Sequence, residues 1–122
     1  MGKVFINLTN RASKTWLDDQ LKVAQEYGDI IDLPFPNIDP DMEPEEVVAM
    51  AEKYTAQIMT YDVSAVLVQG EMTFTFAVVS GLKRKGIKTV AACSRRESVE
   101  TRNEDGSVTK NSVFRFCQFR EY

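Results

Sequence analysis

Val66-Leu67-Val68-Gln69-Gly70-Glu71-Met72-Thr73 is an apolar run that stops at a glycine, meets a carboxylate and passes directly into a helix-forming segment. In open α/β sheets, strand C-terminal ends and helix N-terminal N–H groups converge at such junctions, and small-ligand sites form there. The stretch predicts a buried parallel strand over 64–69 whose end opens onto a site.

Working outward, Lys3–Leu8 reads as a first strand. Trp16, Leu17, Leu21, Val23, Ala24 and Tyr27 give the next segment a helical apolar face, ended by Gly28. Asp29–Leu33 is a short second strand. The prolines of Pro34-Phe35-Pro36-Asn37-Ile38-Asp39-Pro40 forbid regular helix, so Leu33 to Glu43 is a long loop able to fold over a ligand. Pro44 suits the first turn of a second helix, with Glu45 and Glu46 at its positive end. Val47, Ala51, Tyr54 and Ile58 then make one stripe facing a sheet.

Downstream of the opening stretch, Met72–Lys85 is a third helix ended by Lys83-Arg84-Lys85-Gly86. Lys88–Cys93 is a fourth strand, followed by a loop Ser94-Arg95-Arg96. Glu97–Arg102 and Lys110–Phe119 flank the turn-forming Asn103-Glu104-Asp105-Gly106, the pattern of an antiparallel hairpin. Three alternations of strand and helix predict a Rossmann-like α/β fold: a mostly parallel sheet with helices on both faces and a C-terminal β-hairpin. In strand order 2-1-3-4 the switch point lies between the first and third strands, where Thr9–Lys14 and Gln69–Thr73 meet.

The 122 residues, 43% hydrophobic and 27% charged, suit a single domain over 1–122. A net charge of −3 excludes the strongly basic balance of a protein that wraps duplex nucleic acid. No segment has the apolar length of a membrane span or signal peptide, so the expected location is cytoplasmic. The chain has no histidine, which removes the commonest general base and transition-metal ligand. Cys93 and Cys117 lack metal or redox spacing and read as buried free thiols. Asp39, Asp41, Glu43, Glu45 and Glu46 lack the glycine and spacing of a calcium loop and read as capping and solubility charges. No metal or cofactor is implied.

Asn10, Arg11, Ser13 and Lys14, beside Thr9, gather polar and cationic groups at the mouth of the first strand. They suit a phosphate, or a solvated turn capped by Ser13. Beyond Gln69, Gly70 lets backbone approach a ligand, Glu71 accepts from a hydroxyl or base, and Thr73 caps the helix or meets phosphate. Glu71 equally suits a dipole partner. Ser94, Arg95 and Arg96 supply cations that grip phosphate or remain solvated. Trp16 reads as core, and Phe114 and Phe116 as packing rather than base-stacking residues. The third helix is apolar on more than one face through Phe74, Phe76, Ala77, Val78, Val79 and Leu82. This surplus predicts a homodimer, with a hairpin folded over the helix as the alternative.

Phe5-Ile6-Asn7-Leu8-Thr9-Asn10-Arg11, Gly70-Glu71-Met72-Thr73 and Val90 to Arg96 together resemble the small CARF-like, Rossmann-like ring-nuclease families of type III CRISPR systems. Several such families carry a histidine in the first loop, where this chain has Arg11. The resemblance implies an antiviral role and a homodimer that binds a cyclic oligoadenylate across its strand ends. It implies metal-independent cleavage by a ribose 2′-hydroxyl, with Arg11, Lys14 and Arg95 stabilising phosphate, Asn10 orienting it and Glu71 as base or ribose clamp. Binding without turnover, as a sensor or sponge, and a nucleoside-processing transferase with Glu71 as nucleophile are the alternatives.

Overall fold

The computed structural model describes residues 2–122. Five strands form one sheet in the order β2-β1-β3-β4-β5, with β1 Val4–Leu8, β2 Asp29–Asp32, β3 Val63–Val68, β4 Thr89–Arg102 and β5 Val108–Glu121. The pairs β1–β2, β1–β3 and β3–β4 are parallel, and β4–β5 is antiparallel. This is the expected α/β architecture and strand order. Among the described residues, no helix is long and apolar enough to cross a membrane.

Alternation along the buried strands divides the core in two. Ile6, Leu8, Val66 and Val68 face α2 (Pro44–Ile58) and α3 (Met72–Arg84), meeting Val47, Ala51, Ile58, Phe74, Val78 and Leu82. Phe5, Ala65, Leu67 and Val90 face the other way, toward Ala24 of α1 (Asp18–Tyr27) and the rings of Trp16, Tyr27 and Phe119. Helices thus cover both faces.

Local chemistry explains the helix ends. Pro44 sits in the first turn of α2, and Glu43 and Glu46 form a reciprocal capping box around it. Helix α1 begins later than expected, at Asp18, after a single 3-10 turn at Ser13–Thr15. Its N-cap is Leu17, so Ser13 does not cap it. Gly28 ends it at φ 144°, where an added Cβ would lie 2.1 Å from the Lys3 carbonyl oxygen.

The surplus apolar face of α3 finds its first partner within the chain, in α2. Gly81 brings the helices close enough that a Cβ there would sit 3.4 Å from Thr55 Oγ1, and Tyr54 meets Phe74 edge-on at 5.3 Å. Met72 and Phe76 stay outside this contact, 83% and 74% exposed.

The C-terminal half differs most from expectation. Ser94, Arg95 and Arg96 form no loop; β4 runs unbroken from Thr89 to Arg102, with only a register shift between Cys93 and Ser94. Only Thr89 and Val90 are registered against β3, and the remainder of this 14-residue strand pairs with β5 alone. Beyond the sheet both ribbon faces meet solvent, so the apolar alternation that announces a strand is missing. Cys117 is consequently exposed and Cys93 only half-buried, rather than both being buried.

The proline-rich segment packs inward. Leu33, Phe35, Ile38 and Met42 lie against the core, and the Phe35 ring stands edge-on to Phe74 at 5.1 Å. A Cβ on Gly70 would meet Phe35 ring atoms at 2.4 to 2.7 Å, so the close approach that requires glycine there is made by Phe35. Gly70→Ala should therefore destabilise the fold by about 1–3 kcal/mol. In a Phe35→Ala background the same change should cost at least about 1 kcal/mol less, measured by urea unfolding in a double-mutant cycle. Equal costs in both backgrounds would remove the steric explanation.

Candidate functional site

At the C-terminal end of β1, Asn7 is 1% exposed, and a side-chain amide at that depth needs partners. Its Nδ2 donates to the Arg11 carbonyl and to Asp32 Oδ1, both at 2.8 Å. Its Oδ1 accepts from Thr9 Oγ1 at 2.8 Å, and Thr9 Oγ1 accepts in turn from the Arg11 N–H at 3.1 Å. The loop after β1 is thereby folded around one buried side chain.

Asp32, at the end of β2, also accepts from Ser13 N–H at 3.1 Å and Ser13 Oγ at 2.9 Å. Partial burial alone raises its pKa, but the bonds from Asn7 and Ser13 and the charge of Lys14 outweigh this and hold it below the usual Asp value. Ser13 and Lys14 therefore serve the β1–β2 side of the loop, and Asp18 and Asp19 in the first turn of α1 oppose anion binding at that helix end.

A cavity of about 240 Å³ opens on the α1 side of the sheet, between the ends of β1, β3 and β4. It gathers Thr9, Asn10, Arg11, Gln69 and Ser94 from the expected site. Gln69 Oε1 accepts from the Ala92 N–H at 2.7 Å, which fixes the amide so that its NH₂ is the free end. Among the described residues, no side-chain hydrogen bond or ion pair engages the Arg11 guanidinium.

Seven expected residues lie outside this cavity. Ser13 and Lys14 belong to the Asp32 side. Gly70 accommodates Phe35 and borders a separate hollow on the α3 side with Tyr122, whose hydroxyl donates to the Val68 carbonyl at 2.6 Å. Glu71 is the N-cap of α3: its Oε1 accepts from Phe74 N–H at 2.7 Å and from Thr73 Oγ1 at 2.6 Å. Those bonds hold its pKa below the usual Glu value, making it a weaker base. Arg95 falls on the ribbon face opposite Ser94, across from Arg115, and the Arg96 guanidinium donates to Ser112 Oγ at 2.9 Å.

The cavity also includes residues that sequence reasoning missed. Trp16 is half-buried and forms part of the wall, as do Leu17 and Gln20. Phe116 packs on Phe119 with centroids 4.9 Å apart, as expected of a packing residue, yet it too lines the cavity. Phe114 does not pack: it is 63% exposed at the cavity edge. The available signal was the Phe-Arg-Phe alternation, which put both rings on one ribbon face. Among the described residues, no cluster of three or more His, Cys, Asp or Glu side chains is placed to hold a metal ion.

Fold and cavity together define an α/β protein with an open cleft at the switch point of its sheet and a projecting two-stranded ribbon as one wall. The chain belongs to the uncharacterized protein MJ1673 family, whose model matches residues 3–120. Neither a curated protein nor a solved structure matches it.

Two consequences are measurable. Asn7→Ala leaves Asp32 and the Arg11 carbonyl without their shared donor and should cost about 1–3 kcal/mol in urea unfolding; a loss within error of zero would contradict the network's role. Because the Asp32 pKa is depressed on folding, its stabilisation is complete above the ordinary Asp range and is lost as pH falls through the folded value. Asp32→Asn should flatten that part of the acid limb in stability-versus-pH curves, and an unchanged limb would show that Asp32 does not contribute.

Proposed function

We propose that this chain binds a cyclic oligoadenylate at the β1/β3 switch point, as the resemblance to CARF-like ring nucleases implies. The observation that carries this reading is the Arg11 guanidinium, unengaged beside a cavity that also offers Asn10, Ser94 Oγ and the Gln69 amide. A guanidinium beside neutral hydrogen-bonding groups suits a phosphodiester and its sugar or base. At about 240 Å³ the cavity has room for one nucleotide unit and not for a ring. A ring therefore requires two such cavities across a two-fold axis, and exposed Met72 and Phe76 on α3 offer apolar surface for a homodimer.

Cleavage in this site would be metal-independent. The 2′-hydroxyl gives its proton to water as its oxygen bonds to the adjacent phosphorus, the P–O5′ bond breaks and the 5′-oxygen takes a proton from water, so the product is a 2′,3′-cyclic phosphate with a free 5′-hydroxyl. Arg11 would stabilise the developing phosphate charge, and in-line positioning would supply the remaining acceleration. Glu71 takes no part, since its carboxylate is committed to Thr73 and Phe74. That same engagement favours a second reading, binding without turnover, and counts against a transferase with Glu71 as nucleophile.

Incubation with labelled cyclic tetra- and hexaadenylate in chelator, followed by chromatography, tests the proposal. The expected result is tight binding with slow appearance of linear products ending in a cyclic phosphate. Arg11→Ala should weaken binding about tenfold or more, whereas Glu71→Ala should lower the melting temperature and leave turnover intact. Intact rings held stoichiometrically would leave the sponge reading, and no affinity for either ring would overturn both.

A further inference from the structure

We propose that the C-terminal ribbon is the base-recognition element of this cleft, with Phe114 stacking on a nucleobase. The inference rests on the nucleotide reading above and adds to it the part of the ligand that the ribbon takes and the residue that takes it.

Cross-strand register places Ser94 opposite Phe116, Arg96 opposite Phe114, Ser98 opposite Ser112 and Glu100 opposite Lys110, all on one ribbon face. The aromatic residues of that face occur only at its cavity end; farther out, these pairs are hydroxyl or charged. Phe116 is anchored through Phe119, which in turn meets Phe5 at 5.1 Å and Trp16 at 6.5 Å. Phe114 lies two residues beyond this aromatic chain, outside the core, with 63% of its surface exposed. The Arg96 guanidinium opposite it is engaged by Ser112 rather than resting on its ring. A large planar side chain is therefore held open at the rim of a polar cleft.

A flat heterocycle matches that wall, because base–aromatic stacking needs only a π-face. The groups around it match a base edge. The Gln69 NH₂ is directed away from Ala92, and Asn10 supplies both a donor and an acceptor. With Arg11 assigned to phosphate, the ribbon wall is left for the base. The register shift between Cys93 and Ser94 lies where the ribbon leaves the sheet, immediately before the residues that form this wall.

Trp16 is the chain's only tryptophan and lines the cleft, so its fluorescence reports occupancy directly. The experiment titrates the full chain with cyclic tetraadenylate, adenosine 5′-monophosphate and ribose 5-phosphate, using wild type, Phe114→Ala and Phe114→Tyr. Circular dichroism melts confirm that each variant is folded. Adenosine 5′-monophosphate should bind the wild type more tightly than ribose 5-phosphate. Phe114→Ala should weaken both adenine ligands by roughly 5- to 150-fold and leave ribose 5-phosphate unaffected, while Phe114→Tyr restores the adenine preference. Adenine affinities unchanged in Phe114→Ala, or an equal loss for all three ligands, would overturn the assignment of Phe114 while leaving nucleotide binding standing. Failure of the wild type to bind any of the three would overturn the nucleotide reading and this inference together.

Discussion

The geometry of the cleft depends on one buried amide. Asn7 is the one polar residue of β1, at a depth where an unpaired amide would cost about 1–3 kcal/mol, and it finds its partners in Thr9, Arg11 and Asp32. Those bonds turn the chain sharply after β1 and hold the Arg11 backbone on the α1 side of the sheet. The Arg11 guanidinium is left free because the backbone, and not the side chain, meets the demands of the buried amide. Ser13 and Asp32 complete the turn from the other side. Cation placement thus follows from polar satisfaction inside the core.

A second constraint comes from the departure of β4 from β3. Their ladder ends at Val90, and Gln69 bridges the opening by accepting from Ala92 N–H. From there β4 and β5 continue as a two-stranded ribbon, which in isolation is marginally stable in water. At its base the aromatic chain from Phe5 through Phe119 to Phe116 ties the ribbon to the core. Farther out, Glu97–Arg115 at 2.7 Å and Glu100–Lys110 at 3.5 Å pair across the strands. The ribbon is packed on the core through Phe116 and depends on exposed polar pairs farther out, each of small net value in water.

Much of this architecture was legible in the sequence. The β3 run, the prolines, Gly28 and the stripe of α2 point to a mostly parallel sheet with helices on both faces, because buried parallel strands and capped helices carry strong local signals; the strand order 2-1-3-4, which no local signal dictates, is a supposition that the sheet bears out. Where the local signal was ambiguous, tertiary partners decided. Gly70 suits the close approach of a ligand, and a loop phenylalanine, Phe35, takes that space. Glu71 could serve chemistry or cap α3, and its bonds to Thr73 and Phe74 make it the cap. Ser94-Arg95-Arg96 looked like a loop because a ribbon projecting into solvent has no buried face to impose alternation. At Phe114 the Phe-Arg-Phe alternation is present but ambiguous: in a sequence, an aromatic residue on a strand means core unless the strand is known to leave the sheet.

The proposed site places a nucleotide in the cleft between β1, β3 and β4 on the α1 side. It is tested most directly by mapping backbone amide chemical-shift changes on titration with cyclic tetraadenylate. Saturable shifts concentrated at Thr9–Arg11, Gln69, Ala92–Ser94 and Phe114–Phe116 are expected. Shifts centred on the outer face of α2 and α3, or no saturable shifts at all, would contradict it.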